Sequence, residues 1–393
     1  MLIIATIGIW LTIDFTLGRK NHYKELKRND YPFRESHFSL FAKGPELFTD
    51  LFSELKNAKQ HIHIQFYIVN DDEISGEFLG ILKNKAREGV EVRLLLDWLG
   101  SFLIKKKTIQ DLKDHGIEFS FAQKLQLPFL FYSIQTRNHR KITVIDGKIG
   151  YIGGFNIGKE YIDLDPKLSP WRDYHLKVTG EGVADLQLHF LTNWNEELKI
   201  NLLKKEYYFP VQPKGQSRHK IIPSKGPFLE DTFSSLIRHA KKSIIIGTPY
   251  FIPSPTLLAE LQSALKRGVT LTILVPNTAD HILVKEASFR YLRILLQEGA
   301  KVYQFLNGFY HAKTIIIDEE TCDVGTANFD QRSLFLNDEI NCYIYDRSFV
   351  NQMLATVHKD ILDSKPLTLS ELNRPHFLQS CKEFIARLAA PFL

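Results

Sequence analysis

Five residue types recur in this chain at one fixed interval. His139, Lys141, Asp146, Gly153 and Asn156 are matched, 172 positions later, by His311, Lys313, Asp318, Gly325 and Asn328. A lone His-x-Lys is what a solvated strand edge commonly carries; a matched pair with Gly and Asn at equal distances is a constellation. Brought face to face, the two copies supply two imidazoles, two ammonium groups and two amides around one small volume. That set suits a phosphate diester. Lys141, Lys313, Asn156 and Asn328 would neutralise and hydrogen-bond the non-bridging oxygens as charge develops. One neutral imidazole can attack phosphorus while the other, protonated, donates to the leaving oxygen. Two lysines supply the electrostatics, so this chemistry calls for no metal and no cofactor.

Short strands must position these groups. Ile142 to Ile145 and Thr314 to Ile317 are β-branched and read as strands. Alternate side chains of a strand share a face, so His139 points with Lys141 and His311 with Lys313. Asp146 and Asp318 fall on the opposite parity at the strand ends, where a structural role in accepting backbone or cross-domain hydrogen bonds stands beside a catalytic one. Gly153 and Gly154 allow a tight turn or a close backbone approach, after which Asn156 presents its amide.

The remaining chain alternates helices with short apolar strands, the pattern of an α/β layered fold. Gly44 to Ala58 reads as an amphipathic helix, Gln60 to Val69 as a strand, and Ser75 to Glu88 as a helix. Val90 to Leu96 reads as a strand, Lys107 to His115 as a helix, and Ile117 to Phe121 as a strand. The second half repeats the order. Ala58-Lys59 is echoed by Ala240-Lys241, Arg87-Glu88-Gly89-Val90 by Lys266-Arg267-Gly268-Val269, and Gly116-Ile117 by Gly299-Ala300. This is a duplication of about 180 residues, with its boundary in the span Lys204 to Lys225.

The motifs and their surroundings resemble the phospholipase D superfamily and, within it, bacterial cardiolipin synthases. The resemblance rests on Asn-His-Arg-Lys-Ile-Thr-Val-Ile-Asp (138–146), Tyr-Ile-Gly-Gly-Phe-Asn-Ile (151–157), Trp171-Arg172-Asp173, Phe-Tyr-His-Ala-Lys (309–313) and Gly-Thr-Ala-Asn-Phe-Asp-Gln-Arg-Ser (325–333). It extends from about Leu17 to the C-terminal tail and is nearest the shorter, minor type with one N-terminal hydrophobic segment. It implies two tandem phospholipase D-like α/β/α sandwich domains related by a pseudo-twofold axis, at 38–205 and 206–393, preceded by one transmembrane helix. It also implies that an acidic residue downstream of each motif, Asp173 and Glu339, hydrogen-bonds its histidine, fixing the tautomer and making the ring more basic. The implied reaction passes the phosphatidyl group of one phosphatidylglycerol to the hydroxyl of another, giving cardiolipin and glycerol through a phosphohistidine. By the tendency of such enzymes His139 is the nucleophile and His311 the acid/base; the residues themselves do not order the two.

Bulk composition agrees. At 393 residues there is room for two or three domains, and 44% hydrophobic residues with 12% aromatics exclude long disorder. A net charge of +5 suits anionic lipid or a phosphate substrate and is too weak to single out nucleic acid. Cys322, Cys342 and Cys381 have no metal-binding or disulfide-framework spacing.

Met1 to Leu17 is apolar apart from Thr6, Thr12, Asp14 and Thr16, and Arg19, Lys20, Lys24, Lys27 and Arg28 follow. As a helix this segment reaches about 26 Å, just short of the ~30 Å hydrocarbon core. The expectation is a membrane anchor over 1–18 and a basic linker over 19–37, with the rest of the chain cytoplasmic and Asp14 near the headgroups. A signal peptide, which would need a basic start and a small-x-small site, and a buried first helix are the competing readings. Leu125 to Tyr132 is unusually apolar and fits either a core strand or a lip that dips into the bilayer, with Thr248 to Pro253 as its counterpart. The tail from Pro375 to Leu393, with Phe377, Phe384, Leu388 and Phe392 among Lys382 and Arg387, fits a core-packed and a membrane-surface helix alike.

Rival functions are a hydrolytic phospholipase D, a phosphatidyltransferase with another alcohol acceptor such as a phosphatidylserine synthase, and a superfamily nuclease. The apolar segments argue against the nuclease. A catalytically dead lipid-binding protein is a rival of another class, and two intact motifs argue against it.

Overall fold

The β-branched stretches pair side by side into one mixed sheet that runs through both halves of the chain. The computed structural model describes residues 2–281, 283–373 and 377–390; Met1, Pro375, Phe392 and Leu393, named above, lie outside the described residues. The first half contributes β1 (Arg34–Lys43), β2 (His61–Phe66), β3 (Glu91–Asp97), β4 (Glu118–Ala122), β5 (Ile142–Ile145), β6 (Ile149–Gly153) and β7 (Trp171–Gly180). The second contributes β8 (Ser217–Lys225), β9 (Ser243–Gly247), β10 (Thr270–Pro276), β11 (Lys301–Phe305) and β12 (Phe309–Tyr310). It continues with β13 (Thr314–Ile317), β14 (Thr321–Gly325), β15 (Asp338–Ile344) and β16 (Ser364–Pro366).

From the middle outward the first half runs β1-β7-β6-β5-β2-β3-β4 and the second β8-β15-β14-β13-β9-β10-β11. The two orders correspond strand for strand, which is the duplication made visible. They meet where Arg34 to Ser36 pairs antiparallel with Ser217 to His219. β2, β3 and β4 are parallel, as are β9, β10 and β11, and helices connect them. β2 is buried along its whole length, as expected for a strand covered on both faces.

Equivalent connecting helices are built with equivalent punctuation. Glu73–Arg87 starts where Asp72 accepts from the Ser75 N–H and stops before Gly89 at φ +89°. Pro255–Lys266 starts where Ser254 accepts from the Leu257 N–H and stops before Gly268 at φ +86°. A core fills each half, and a third, containing Ile142, Val144, Leu176, Ile316, Val324 and Ile340, lies between them.

One expectation changes. Leu125 to Tyr132 is not a core strand: Pro128 has no N–H to give a ladder, and Leu130–Gln135 forms a short helix. That helix is the seat of the N-terminal helix, Leu2–Glu25. Gly18 permits the contact, since a Cβ there would stand 2.6 Å from the Tyr132 Cβ. Asp14 is buried and accepts the Tyr132 N–H at 2.8 Å. The Tyr23 hydroxyl donates to the Phe335 carbonyl. The first turns instead expose Ile3, Ile7, Ile9, Trp10 and Ile13. Among the described residues no helix is long and apolar enough to cross a membrane. In the tail, Phe377–Ala389 is helical, with Ala386 buried, Glu383 paired to Arg293, and Leu378, Phe384 and Ile385 exposed.

Candidate active site

Each motif enters its strand from a backbone bridge to the other half. The His139 N–H donates to the Asp338 carbonyl at 3.0 Å, and the His311 N–H to the Arg172 carbonyl at 2.7 Å. β12 runs parallel to the start of β7, and Asn138 bridges Asp338 in the same sense. These bridges set the next residue of each partner strand beside the facing imidazole. Nδ1 of His139 lies 2.9 and 3.0 Å from the Glu339 carboxylate, and Nδ1 of His311 lies 2.6 Å from Asp173. The pairing is therefore crossed: each carboxylate serves the histidine of the opposite half, where the resemblance had each serving its own. Arg140, wholly buried, secures the crossing by donating to the Glu339 carbonyl at 3.0 Å and to the Asp338 carboxylate at 3.2 Å.

Both carboxylates are held in place. Glu339 also accepts from the Thr326 hydroxyl at 2.6 Å, the Ser333 hydroxyl at 2.9 Å and the Asn337 amide at 3.2 Å. Asp173 accepts the Tyr174 N–H and lies 3.4 Å from the Lys313 ammonium. The glycine pair explains itself here: a Cβ on Gly154 would stand 2.0 Å from Asp173 Oδ1, and one on Gly153 2.5 Å from the His175 backbone. Close approach, not a turn, is what those positions require.

Burial dominates the electrostatics. It brings His139 to a pKa of about 4, against the opposing pull of Glu339, and His311 to about 4 with help from Lys313 and against Asp173. For the two carboxylates burial, again the largest influence, acts upward, but the imidazole and lysine facing each one outweigh it. Glu339 and Asp173 are held below the usual range. At neutral pH each site is thus a carboxylate accepting from a neutral ring at Nδ1, which fixes the tautomer and leaves Nε2 as the basic nitrogen. Burial also pushes Lys141 down to about 7 and lowers Lys313.

His139 and His311 border one cavity of about 250 Å³ together with Asn156 and Asn328. Asn156 accepts the Ile68 N–H and donates to the Tyr161 hydroxyl, and Asn328 donates to Asp330 at 2.9 Å. The lysines lie behind the rings and not on the cavity wall: Lys141 donates to the His139 carbonyl at 2.7 Å and Lys313 to the His311 carbonyl. Asp146 and Asp318 are not in the site. Each stands at the far end of its strand at positive φ and accepts three consecutive N–H groups: Lys59 to His61 for Asp146, Lys241 to Ser243 for Asp318. The catalytic role considered for them gives way to the structural one, that of clamping the start of β2 and β9.

Sequence reasoning missed several cavity residues. Tyr67 stands edge-on to His139 at 5.0 Å, Trp171 lies 4.8 Å from His311, and Asp280 and Arg332 complete the wall. Tyr67 and Tyr250 both follow the strand next to a motif strand, β2 and β9, the one signal that could have found them. Of the two apolar segments proposed as lips, Thr248 to Pro253 places Tyr250 on the wall. Leu125 to Tyr132 instead borders a neighbouring cavity of about 380 Å³ shared with Gly18 and His22 of the first helix.

Comparison with known proteins places this geometry. The sequence profile described as "Cardiolipin synthase, PLD-like domain" matches residues 51–166 and 233–361. The minor cardiolipin synthase ClsB of Bacillus subtilis (strain 168) is 39% identical over 393 residues, covering 100% of this chain and 98% of that protein. The major cardiolipin synthase ClsA of the same organism is 40% identical over 382 residues, covering 94% of this chain and 78% of its own. Among solved structures, a phosphatidylserine synthase of Haemophilus influenzae Rd KW20 shares the fold with a TM-score of 0.72 at 18% identity, over 96% of this chain and 100% of that one. With its two crossed histidine–carboxylate pairs on one cavity, this chain is a phosphatidyltransferase that belongs to the cardiolipin synthase family of phospholipase D-like enzymes.

Proposed function

We propose that the protein transfers the phosphatidyl group of one phosphatidylglycerol to a hydroxyl of a second, releasing glycerol and forming cardiolipin. The observation that carries this reading is the convergence of His139 and His311 on one cavity, each with Nδ1 committed to a buried carboxylate. His139 Nε2 attacks phosphorus, the bond to the glycerol oxygen breaks, and His311 supplies the proton that leaves with glycerol. In the second step His311 takes the proton of the incoming hydroxyl, the new P–O bond forms, and the P–N bond to His139 breaks. Asn156 and Asn328 face the phosphate oxygens, and Lys141 and Lys313 act through the field they create behind the rings. A phosphate diester approaching the cavity favours the protonated form of His311, which burial alone disfavours. One diester is exchanged for others of like kind, so no nucleotide enters.

The chain divides in this reading into a first catalytic half over 38–205 and a second over 206–393. The N-terminal helix holds them to the membrane as a single-pass anchor, with the halves on the cytoplasmic side. Exposed Ile3, Ile7, Ile9, Trp10 and Ile13, followed by Arg19, Lys20 and Lys24, support attachment to an anionic bilayer. Purified protein in phosphatidylglycerol vesicles tests the function, with lipid products identified by mass. Cardiolipin with glycerol is expected; phosphatidic acid would make the protein a hydrolase, and silence with cleavage of DNA would make it a nuclease.

A further inference from the structure

Two carboxylates border the cavity: Asp330, which accepts from the Asn328 amide and the Ser333 N–H, and Asp280, which is less well supplied. Asp280, in the stretch after β10, presents a carboxylate whose side chain is 10% exposed. Its Oδ2 accepts a hydrogen bond from the Tyr250 hydroxyl and lies 3.6 Å from His281 Nε2. Its Oδ1 is buried with no hydrogen-bond partner among the described residues. Tyr250 in turn stands edge-on to His311 with ring centroids 6.3 Å apart, so the carboxylate belongs to the His311 side of the cavity.

A buried carboxylate oxygen without a donor is costly, and beside a phosphate it would repel the substrate. A neutral hydroxyl donor suits the cavity face of this carboxylate where an anion does not. In the transfer proposed above, on which this inference rests, the leaving glycerol and the incoming headgroup must both present their hydroxyls to His311. We propose that Asp280, oriented by Tyr250, binds the second hydroxyl of a vicinal diol, making the site selective for acceptors with a glycerol head over monohydric alcohols. The reacting hydroxyl meets His311 while its neighbour donates to the face of the Asp280 carboxylate that borders the cavity.

The test uses the full chain in phosphatidylglycerol vesicles with isotopically labelled glycerol and 1-propanol as competing acceptors, in the parent, Asp280→Ala and Asp280→Asn. Labelled phosphatidylglycerol and phosphatidylpropanol are counted by mass. The parent is expected to prefer glycerol, and Asp280→Ala to lose roughly tenfold of that preference, the scale set by a buried polar group built for a substrate hydroxyl. Asp280→Asn keeps an acceptor for Tyr250 and is expected to fall between the two; if the Ala variant does not fold, the Asn result decides. Propanol transfer in the same tube reports folded, active protein. A glycerol preference equal to the parent's in both variants overturns the assignment of Asp280 while leaving the transferase reading intact. A parent that transfers to neither alcohol and makes no cardiolipin overturns the transferase reading itself.

Discussion

Glu339 binds Nδ1 of His139, a residue 200 positions before it, while the acidic residue nearer in sequence, Asp173, is committed to His311. Each imidazole is thus oriented by the half of the molecule that does not carry it. Substituting one carboxylate should damage one histidine and spare the packing of the other. Glu339→Gln is expected to lower cardiolipin formation on the order of 100-fold, because a neutral amide no longer fixes the tautomer. Initial rates beside a thermal unfolding curve check this; a rate within a factor of two of the parent in folded protein would sink it.

His139→Ala and His311→Ala should each abolish transfer in protein that still folds. They should differ in what accumulates. With His311 absent, His139 can still attack a donor, and intact-protein mass spectrometry is expected to find a phosphatidyl adduct on His139. An adduct on His311 in the reciprocal variant alone would reverse the two roles.

Acid should destabilise the protein through its buried neutral histidines. His139, His219 and His311 have pKa values of about 4 in the fold and 6.5 as free side chains, with burial the first cause. The unfolded chain therefore takes up protons between those values that the folded chain refuses, and stability present above 6.5 is lost as pH falls toward 4. At pH 5 each such histidine costs about 2 kcal/mol relative to neutrality. The unfolding temperature should drop steadily from pH 7 to 5; a flat profile would contradict the buried neutral rings.

Asp318→Ala removes the acceptor of three N–H groups at the start of β9. It is expected to lower stability by about 1 kcal/mol, the net value of hydrogen bonds whose freed N–H groups largely return to water. In the fraction that folds, turnover should stay close to the parent's. A specific loss of turnover at unchanged unfolding temperature would return this residue to the reaction.

Deleting residues 2–13 removes the exposed apolar turns of the first helix while keeping Asp14, Gly18 and Tyr23 on their seats. Flotation with phosphatidylglycerol vesicles is expected to show much of the protein unbound. Undiminished flotation would assign the attachment to another surface.

Much of this was legible before any coordinates. The strands over Ile142 to Ile145 and Thr314 to Ile317, the helices around them and the echo between halves follow from side-chain periodicity and repeated punctuation. Periodicity tells which face a side chain takes and not which strand lies alongside, so the crossing of Asp173 and Glu339 could not be read. Asp280 and Tyr250 sit in irregular stretches without a spaced pattern, and their pairing exists only in three dimensions. By sequence Leu125 to Tyr132 fits a core strand and a lip alike, because apolar content alone does not say whether a sheet, a helix or a bilayer will cover it.

The bridges at Asn138–Asp338 and Tyr310–Arg172 have an evolutionary corollary. A solitary ancestor with one half would carry an acid that reaches no ring of its own, so it could work only as a symmetric pair of identical chains. In one continuous chain the two acids are separate positions, free to differ as Asp173 and Glu339 do.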